Sequence, residues 1–346
     1  MNFKVVMTTK VLSRKDREPY ERELGVEFLS IPCHTEHEMA NAVRDADAVI
    51  TFMQPFTRKV IEELNRCKLI YNAGAGYDTI DIQAATDHGI CVAYPGDYCA
   101  EEVSEHTMAL ILACARKIVR LDRAVRAGKW SSFEKRAIQG EILPPVFQLK
   151  GQILGLIGFG RIGRAVVPKA KGFGLRVIAF DPYVPSNVFN ELDVESVTFD
   201  YLLKESDFIS IHTAFSPQVR HMLGKEQFKK MKSTAYVINT SRGSFIDEKA
   251  LYVALSEGYI AGAGLDVLEA ELGGVNLEHP LLRLDNVIVT AHSAYYSEQS
   301  GAKYKERAYE AIASIIRGEW PEWLINPEVK ESFRRRWQQS LETFEI

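Results

Sequence analysis

Short apolar runs alternate with longer stretches of mixed polarity along most of the chain, a pattern of parallel strands joined by crossover helices. Before Cys99 the runs are residues 4–8, 48–52, 69–72 and 90–93, which predicts a small α/β domain with four strands. Tyr94-Pro95-Gly96-Asp97 interrupts the pattern, and one long helix is predicted over residues 100–119. Its apolar positions Val103, Thr107, Leu110, Ile111, Cys114 and Ile118 form a stripe too wide for a helix with one solvated face. Such a helix crosses between domains, joins a subunit interface or is buried within its own domain. Residues 128–148, with Trp130, Phe133, Pro144 and Pro145, are irregular and read as an extended arm.

The pattern is sharpest over residues 153–181, ILGLIGFGRIGRAVVPKAKGFGLRVIAFD, which reads as strand, tight turn, helix and strand. Gly158 permits the turn, Gly160 lets backbone approach a pyrophosphate, and Gly163 lets helix and strand pack closely. The helix then begins where its free N–H groups favour an anion. Asp181 follows Gly163 by 18 residues, close to the spacing of an acid that bonds the adenosine ribose hydroxyls. A carboxylate there repels a 2′-phosphate, so NAD is expected rather than NADP.

Further strands are predicted over residues 207–212, 235–239, 261–266 and 287–290, making six with the two around the glycine turn. The stretch AKYKERAYEAIASIIRG after Ser297 is an amphipathic helix expected to return to the first domain. The domains are therefore expected to be discontinuous: 1–99 with 297–346, and 100–296, two doubly wound parallel-sheet α/β domains able to close on a ligand.

Three strand ends each offer one group with chemistry: Arg242 after VINTS, Glu271 after GAGLDV, and His292 after VIVTA. A guanidinium holds a carboxylate and polarises a carbonyl, and a histidine with a carboxylate beside it delivers a proton near neutral pH. Together they are what 2-keto acid reduction needs from a protein, with a nicotinamide supplying hydride. In the first domain, the turn Asn72-Ala73-Gly74-Ala75-Gly76-Tyr77-Asp78 either holds a carboxylate on its N–H groups or is simply a tight strand-to-helix turn.

Composition narrows the class. Hydrophobic residues at 46%, charged residues at 25% and a net charge of −4 describe an ordinary soluble chain without a nucleic-acid-binding patch. Arg334, Arg335 and Arg336 are expected to be a solvated face. Cys33, Cys67, Cys91, Cys99 and Cys114 have neither disulfide nor metal-ligand spacing, which suits a reducing cytosol, and no metal is expected. The longest apolar run, Met108 to Ala115, is too short for a membrane span, and the N-terminus reads as a strand rather than a secretory signal.

The motifs GAGYDTIDIQAA, EEVSEHT, RAGKW, GFGRIG with Asp181, NTSRGSFIDEKAL, GAGLDV and AHSA resemble the D-isomer-specific 2-hydroxyacid dehydrogenases over residues 69–313. The resemblance implies a Rossmann NAD-binding domain and a smaller flavodoxin-like substrate domain. It implies catalytic roles for Arg242, Glu271 and His292. Cofactor contacts would come from Thr107, Gly158, Gly160, Arg161, Ile162, Asp181, Thr213, Thr240, Arg242, Asp266 and His292, Asp266 through the nicotinamide amide. Substrate would be held by Ala75, Gly76, Arg242, His292 and Tyr295. Hydride would pass between nicotinamide C4 and C2 of the acid, and a homodimer through residues 100–130 is implied.

Within the family, DPYV and HSAYYSEQS are most similar to the C-terminal-binding-protein branch, which implies an alternative as an NAD-sensing, corepressor-like protein. That branch has tryptophan where Tyr295 stands, so a tryptophan-lined pocket does not carry over. Leu272 replaces the usual proline, which leaves Glu269 as the alternative partner acid. Glu271 and Ala75 do not match the Gln of formate enzymes or the Lys of phosphite enzymes.

Overall fold

The computed structural model describes residues 3–10, 12–130, 145–269, 271 and 274–337. The chain divides into two compact units, Met1–Tyr98 with Ser297–Ile346, and Cys99–Tyr296.

The first unit is built on a five-stranded parallel sheet of order β2-β1-β3-β4-β5: β1 Phe3–Met7, β2 Val26–Ser30, β3 Ala48–Thr51, β4 Leu69–Asn72 and β5 Cys91–Ala93. Every residue of β3, β4 and β5 is buried, as expected for central strands covered on both faces. The sequence pattern predicts four strands here; β2 is the fifth. Its VEFLS alternates buried Val26 and Phe28 with exposed Glu27, and Glu27 breaks the apolar run that marks the others.

The helix Glu298–Arg317 starts at the N-cap Ser297, which accepts from Ser300 N, and ends at left-handed Gly318. Ala308, Ala311, Ile312 and Ile315 on its buried face join Met7, Ile50, Leu69 and Tyr71 in one core. Burying a residue such as Ile312 contributes about 2 kcal/mol. Arg336, in the helix Val329–Trp337, does not lie on a solvated face: its guanidinium donates to the carbonyls of His88, Leu64 and Asn65, just past the ends of the helices Ile82–Asp87 and Arg58–Glu62. Arg334 and Arg335 are exposed as expected.

The second unit carries a seven-stranded parallel sheet of order β12-β11-β10-β9-β6-β7-β8. These strands are β6 Ile153–Ile157, β7 Arg176–Phe180, β8 Glu195–Ser196, β9 Phe208–Ile211, β10 Tyr236–Asn239, β11 Gly262–Leu265 and β12 Val287–Val289. Six are the predicted ones. The seventh, β8, is a polar two-residue edge paired with Ile178 and Ala179, too short to leave a pattern.

The single helix predicted over 100–119 is two. Ala100–Ala115 is closed by Arg116, and Lys117, left-handed at φ 53°, starts Ile118–Arg126. Ile118 consequently falls outside the apolar stripe and is 53% exposed. Leu110, Ile111 and Cys114 of the stripe join the core of their own unit, where Gly264 on β11 lets the helix approach: a Cβ there would lie 3.2 Å from Leu110 and 3.4 Å from Cys114 Sγ. Most of the arm at 128–148, including Phe133 and Pro144, lies outside the described residues. No described helix is long and apolar enough to cross a membrane.

Candidate active site

The glycine turn follows β6, and its geometry separates the three glycines. At Gly158, left-handed at φ 95°, a Cβ would strike Thr213 N at 2.5 Å, and at Gly163 it would strike the Gly158 carbonyl oxygen at 2.5 Å. At Gly160 it would meet nothing within 4 Å. Two glycines are thus required by packing, while Gly160 leaves an open approach to the start of the helix Arg161–Gly172. Arg161 and Ile162 form the first helical turn, where backbone N–H groups have no helical acceptor. Asp181, just after β7, accepts from Phe159 N at 2.8 Å through Oδ2 and from Tyr183 N at 2.9 Å through Oδ1. These residues fit a dinucleotide: an open backbone cradle at a helix N-terminus, with a carboxylate fixed at the end of the next strand.

The adjoining strand ends fill out the same edge of the sheet. Thr213 follows His212 after β9. Thr240, after β10, meets Thr107 with 3.0 Å between the hydroxyl oxygens, and Thr107 donates to Val103 O at 2.8 Å. Asn239 holds the next turn by donating to Arg242 O at 2.8 Å and accepting from Ser241 N at 3.0 Å. Arg242 itself sends one guanidinium N–H to Ser241 O at 2.9 Å. Gly243 is packed so tightly that a Cβ would lie 2.1 Å from the Leu268 carbonyl carbon, so the Arg242 turn abuts the segment leading to Glu271.

Glu271 and His292 meet. His292 Nδ1 lies 2.7 Å from Glu271 Oε1, and Leu268 N donates to Oε2 at 3.3 Å. The Nδ1 contact with a carboxylate assigns a proton to Nδ1 and leaves Nε2 outside this contact. Glu269, the alternative acid, is engaged elsewhere: it pairs with Arg220 and lies 2.9 Å from His221 Nε2. Leu272 lies outside the described residues. Tyr295 stands edge-on to His292, with ring centroids 6.3 Å apart.

His292 is one of five non-glycine residues in left-handed backbone among the described residues, at φ 49°, a strain of about 1–3 kcal/mol. Asp266, 1% exposed at the end of β11, offsets it: its carbonyl accepts from His292 N at 2.8 Å, and its carboxylate accepts from Ser293 N at 3.0 Å and Ala294 N at 2.9 Å. Thr290 and His106, which join this network, are residues the sequence reading missed. The only signal was the position of His106 beside Thr107 in EEVSEHT.

In the first unit, the turn after β4 is held by buried Asn72, whose amide donates to Gly74 O at 2.7 Å and Gly76 O at 3.0 Å. In a trans peptide the N–H points opposite the preceding carbonyl. The N–H groups of Ala75 and Tyr77 therefore face away from Asn72. A Cβ at Gly74 would lie 2.9 Å from the Phe52 ring, which would have to move to make room.

A cavity of about 450 Å³ in the second unit, lined by Phe208, Tyr236, Ala261 and Asn286 among others, lies toward the amino ends of β9 to β11 and contains none of the candidate residues. The candidates gather at the carboxyl ends, where open α/β sheets bind ligands.

Residues 108–294 match the family model for the D-isomer specific 2-hydroxyacid dehydrogenase NAD binding domain. The chain is 39% identical over 289 residues to a glyoxylate reductase of Korarchaeum cryptofilum, covering 83% of this chain and 85% of that one. It is 39% identical over 280 residues to a hydroxypyruvate reductase of Thermotoga maritima, covering 80% and 88%. Among solved structures, D-lactate dehydrogenase of Aquifex aeolicus complexed with NAD and lactic acid is similar at a TM-score of 0.79 and 29% identity, covering 91% of this chain and 96% of that one.

Proposed function

This chain belongs to the D-isomer specific 2-hydroxyacid dehydrogenase family and is an NAD-dependent oxidoreductase acting on CH–OH donors, and we propose that it reduces a small 2-keto acid to the D-2-hydroxy acid. The observation that carries the site assignment is the contact of His292 Nδ1 with Glu271 at 2.7 Å. When bound, the nicotinamide supplies or accepts the hydride.

The remaining work falls to side chains. Gly158, Gly160, Arg161 and Ile162 would cradle the pyrophosphate, and Asp181 the adenosine ribose, disfavouring a 2′-phosphate. Thr107, Thr213, Thr240 and Asp266 would line the rest of the cofactor. His292, holding Nδ1–H toward Glu271, would deliver a proton from Nε2 to the carbonyl oxygen, and the carboxylate would stabilise the imidazolium. Arg242 would hold the substrate carboxylate with a charge-assisted contact and polarise the carbonyl. By family likeness, Ala75 and Gly76 would hold substrate through backbone N–H groups, and Tyr295 would wall the acyl side.

Glyoxylate and hydroxypyruvate are the first substrates to try, on the strength of the relatives' names. A homodimer through residues 100–130 belongs to this reading by family likeness. A reducing, cytoplasmic setting is supported by five buried free thiols. The test is a panel of 2-keto acids with NADH and NADPH side by side. Turnover with NADH and D-configured product is expected; a protein that binds NADH and turns over none of the panel would contradict the proposal and favour an NAD-sensing role.

A further inference from the structure

We propose that Thr290 is a positioning residue for His292, acting through Asp266 and His106 as one hydrogen-bonded hub; this rests on the reading of His292 as the proton donor. Thr290 follows β12 directly, two residues before His292. Its hydroxyl donates to Asp266 Oδ1 at 2.5 Å and lies 3.0 Å from His106 Nε2. A hydroxyl has one proton, and Asp266 receives it. Toward His106 the hydroxyl therefore accepts, which requires a proton on His106 Nε2. His106 Nε2 is also 3.5 Å from Asp266 Oδ1, so the ring, the hydroxyl and the carboxylate form one cluster.

The hub spans three elements. His106 belongs to the helix Ala100–Ala115, Asp266 ends β11, and Thr290 leads into the loop that carries His292. Asp266 gathers Thr290, Ser293 and Ala294 on its carboxylate and His292 N on its carbonyl, so the loop is fastened on both sides of the left-handed residue. A non-glycine residue keeps that backbone only where its surroundings over-determine it. The imidazole is then aimed by two constraints: the backbone, set by Asp266, and Nδ1, set by Glu271.

Of the loop's bonds to Asp266, the Thr290 hydroxyl is the one a side-chain substitution removes without touching the main chain. Deleting it leaves a buried carboxylate oxygen short of one donor and the His106 N–H short of one acceptor, which is costly at low exposure. The loop can then relax and carry the ring away from Glu271. Oδ2 of Asp266 receives only Ala294 N among the described contacts, so this role leaves room for the nicotinamide amide expected at that carboxylate.

The experiment compares Thr290→Val, nearly the same shape without the hydroxyl, with Thr290→Ser, which restores it. The full-length protein is assayed with NADH and the best keto acid of the panel, and NADH binding is followed by fluorescence. Thr290→Val is expected to keep NADH affinity within about twofold, lose at least about tenfold in kcat, and show a larger solvent deuterium isotope effect as proton delivery slows. Thr290→Ser should return both to near wild type. His106→Leu should move kcat and the isotope effect in the same direction as Thr290→Val.

If Thr290→Val keeps wild-type kcat and isotope effect while His292→Gln is impaired, the hub is wrong and the reading of His292 stands. If NADH affinity falls in step with kcat, or Ser fails to rescue, the role is merely structural and the proposal is overturned. If His292→Gln is itself unimpaired, the underlying reading fails and the hub fails with it.

Discussion

Glu271→Gln isolates the charge of the acid from its shape. In the structure Glu271 Oε1 is 2.7 Å from His292 Nδ1, and both side chains are largely sheltered, at 17% and 28% exposure. A hydrogen bond to a charged group contributes about 1.5–3 kcal/mol and a neutral one about 0.5–1.5. Replacing carboxylate by amide while the bond is kept therefore costs about 1–1.5 kcal/mol, or roughly five- to thirteenfold in rate. Glu271→Ala removes the bond altogether and also frees the imidazole to rotate, so about 10- to 150-fold is expected. The assay is steady-state NADH oxidation with keto acid and NAD reduction with hydroxy acid at one pH. Because a catalyst cannot move the equilibrium, kcat/KM must fall by the same factor in both directions, with NADH affinity unchanged. Full activity in Glu271→Gln, or a loss carried entirely by NADH affinity, would refute the assignment of Glu271 as the partner of His292.

Three further outcomes follow from the same geometry. Gly160→Ala should keep its melting temperature, since the new methyl meets nothing within 4 Å, but bind NADH at least about tenfold more weakly; Gly163→Ala, striking the Gly158 carbonyl, should lower the melting temperature. Asp181→Ala should narrow the preference for NADH over NADPH by about tenfold or more, read as the ratio of kcat/KM values, because a like charge near the 2′-phosphate is removed. Burial pushes His212 down to about 3 from 6.5, so between those values the unfolded chain binds a proton that the folded chain does not. Its contribution to stability is therefore complete above about pH 6.5 and is lost as the pH falls, by up to about 1.4 kcal/mol per pH unit. His212→Asn should flatten the urea-unfolding stability curve between pH 6 and pH 4 by about one proton, and an unchanged slope would show that His212 does not cause it.

The glycine turn was legible because each of its demands is local: backbone at Gly158, clearance at Gly163, and an acid one strand later. The same holds for β3 and β4, whose four-residue runs are wholly buried and hence wholly apolar or nearly so. What escaped was set by tertiary context. Glu27 sits on the exposed face of β2 and masks it, β8 is two polar residues at an edge, and Lys117 breaks a helix without a glycine or proline to announce it. The choice between Glu269 and Glu271 is of the same kind. Both lie within one short acidic stretch, and only the neighbours Arg220 and His221 on one side and His292 on the other separate them. Thr290 and His106 are ordinary residues until the fold brings positions 106, 266 and 290 together. The likeness of HSAYYSEQS to a corepressor branch is an expectation that the reductases named above do not address.

The most direct measurement is single-turnover reduction of a keto acid by prebound NADH in wild type and His292→Gln. The account predicts that His292→Gln still binds NADH but transfers hydride about 10²–10⁴ times more slowly, the range for loss of a general acid. Equal rates in the two proteins would mean that the imidazole beside Glu271 moves no proton in this reaction.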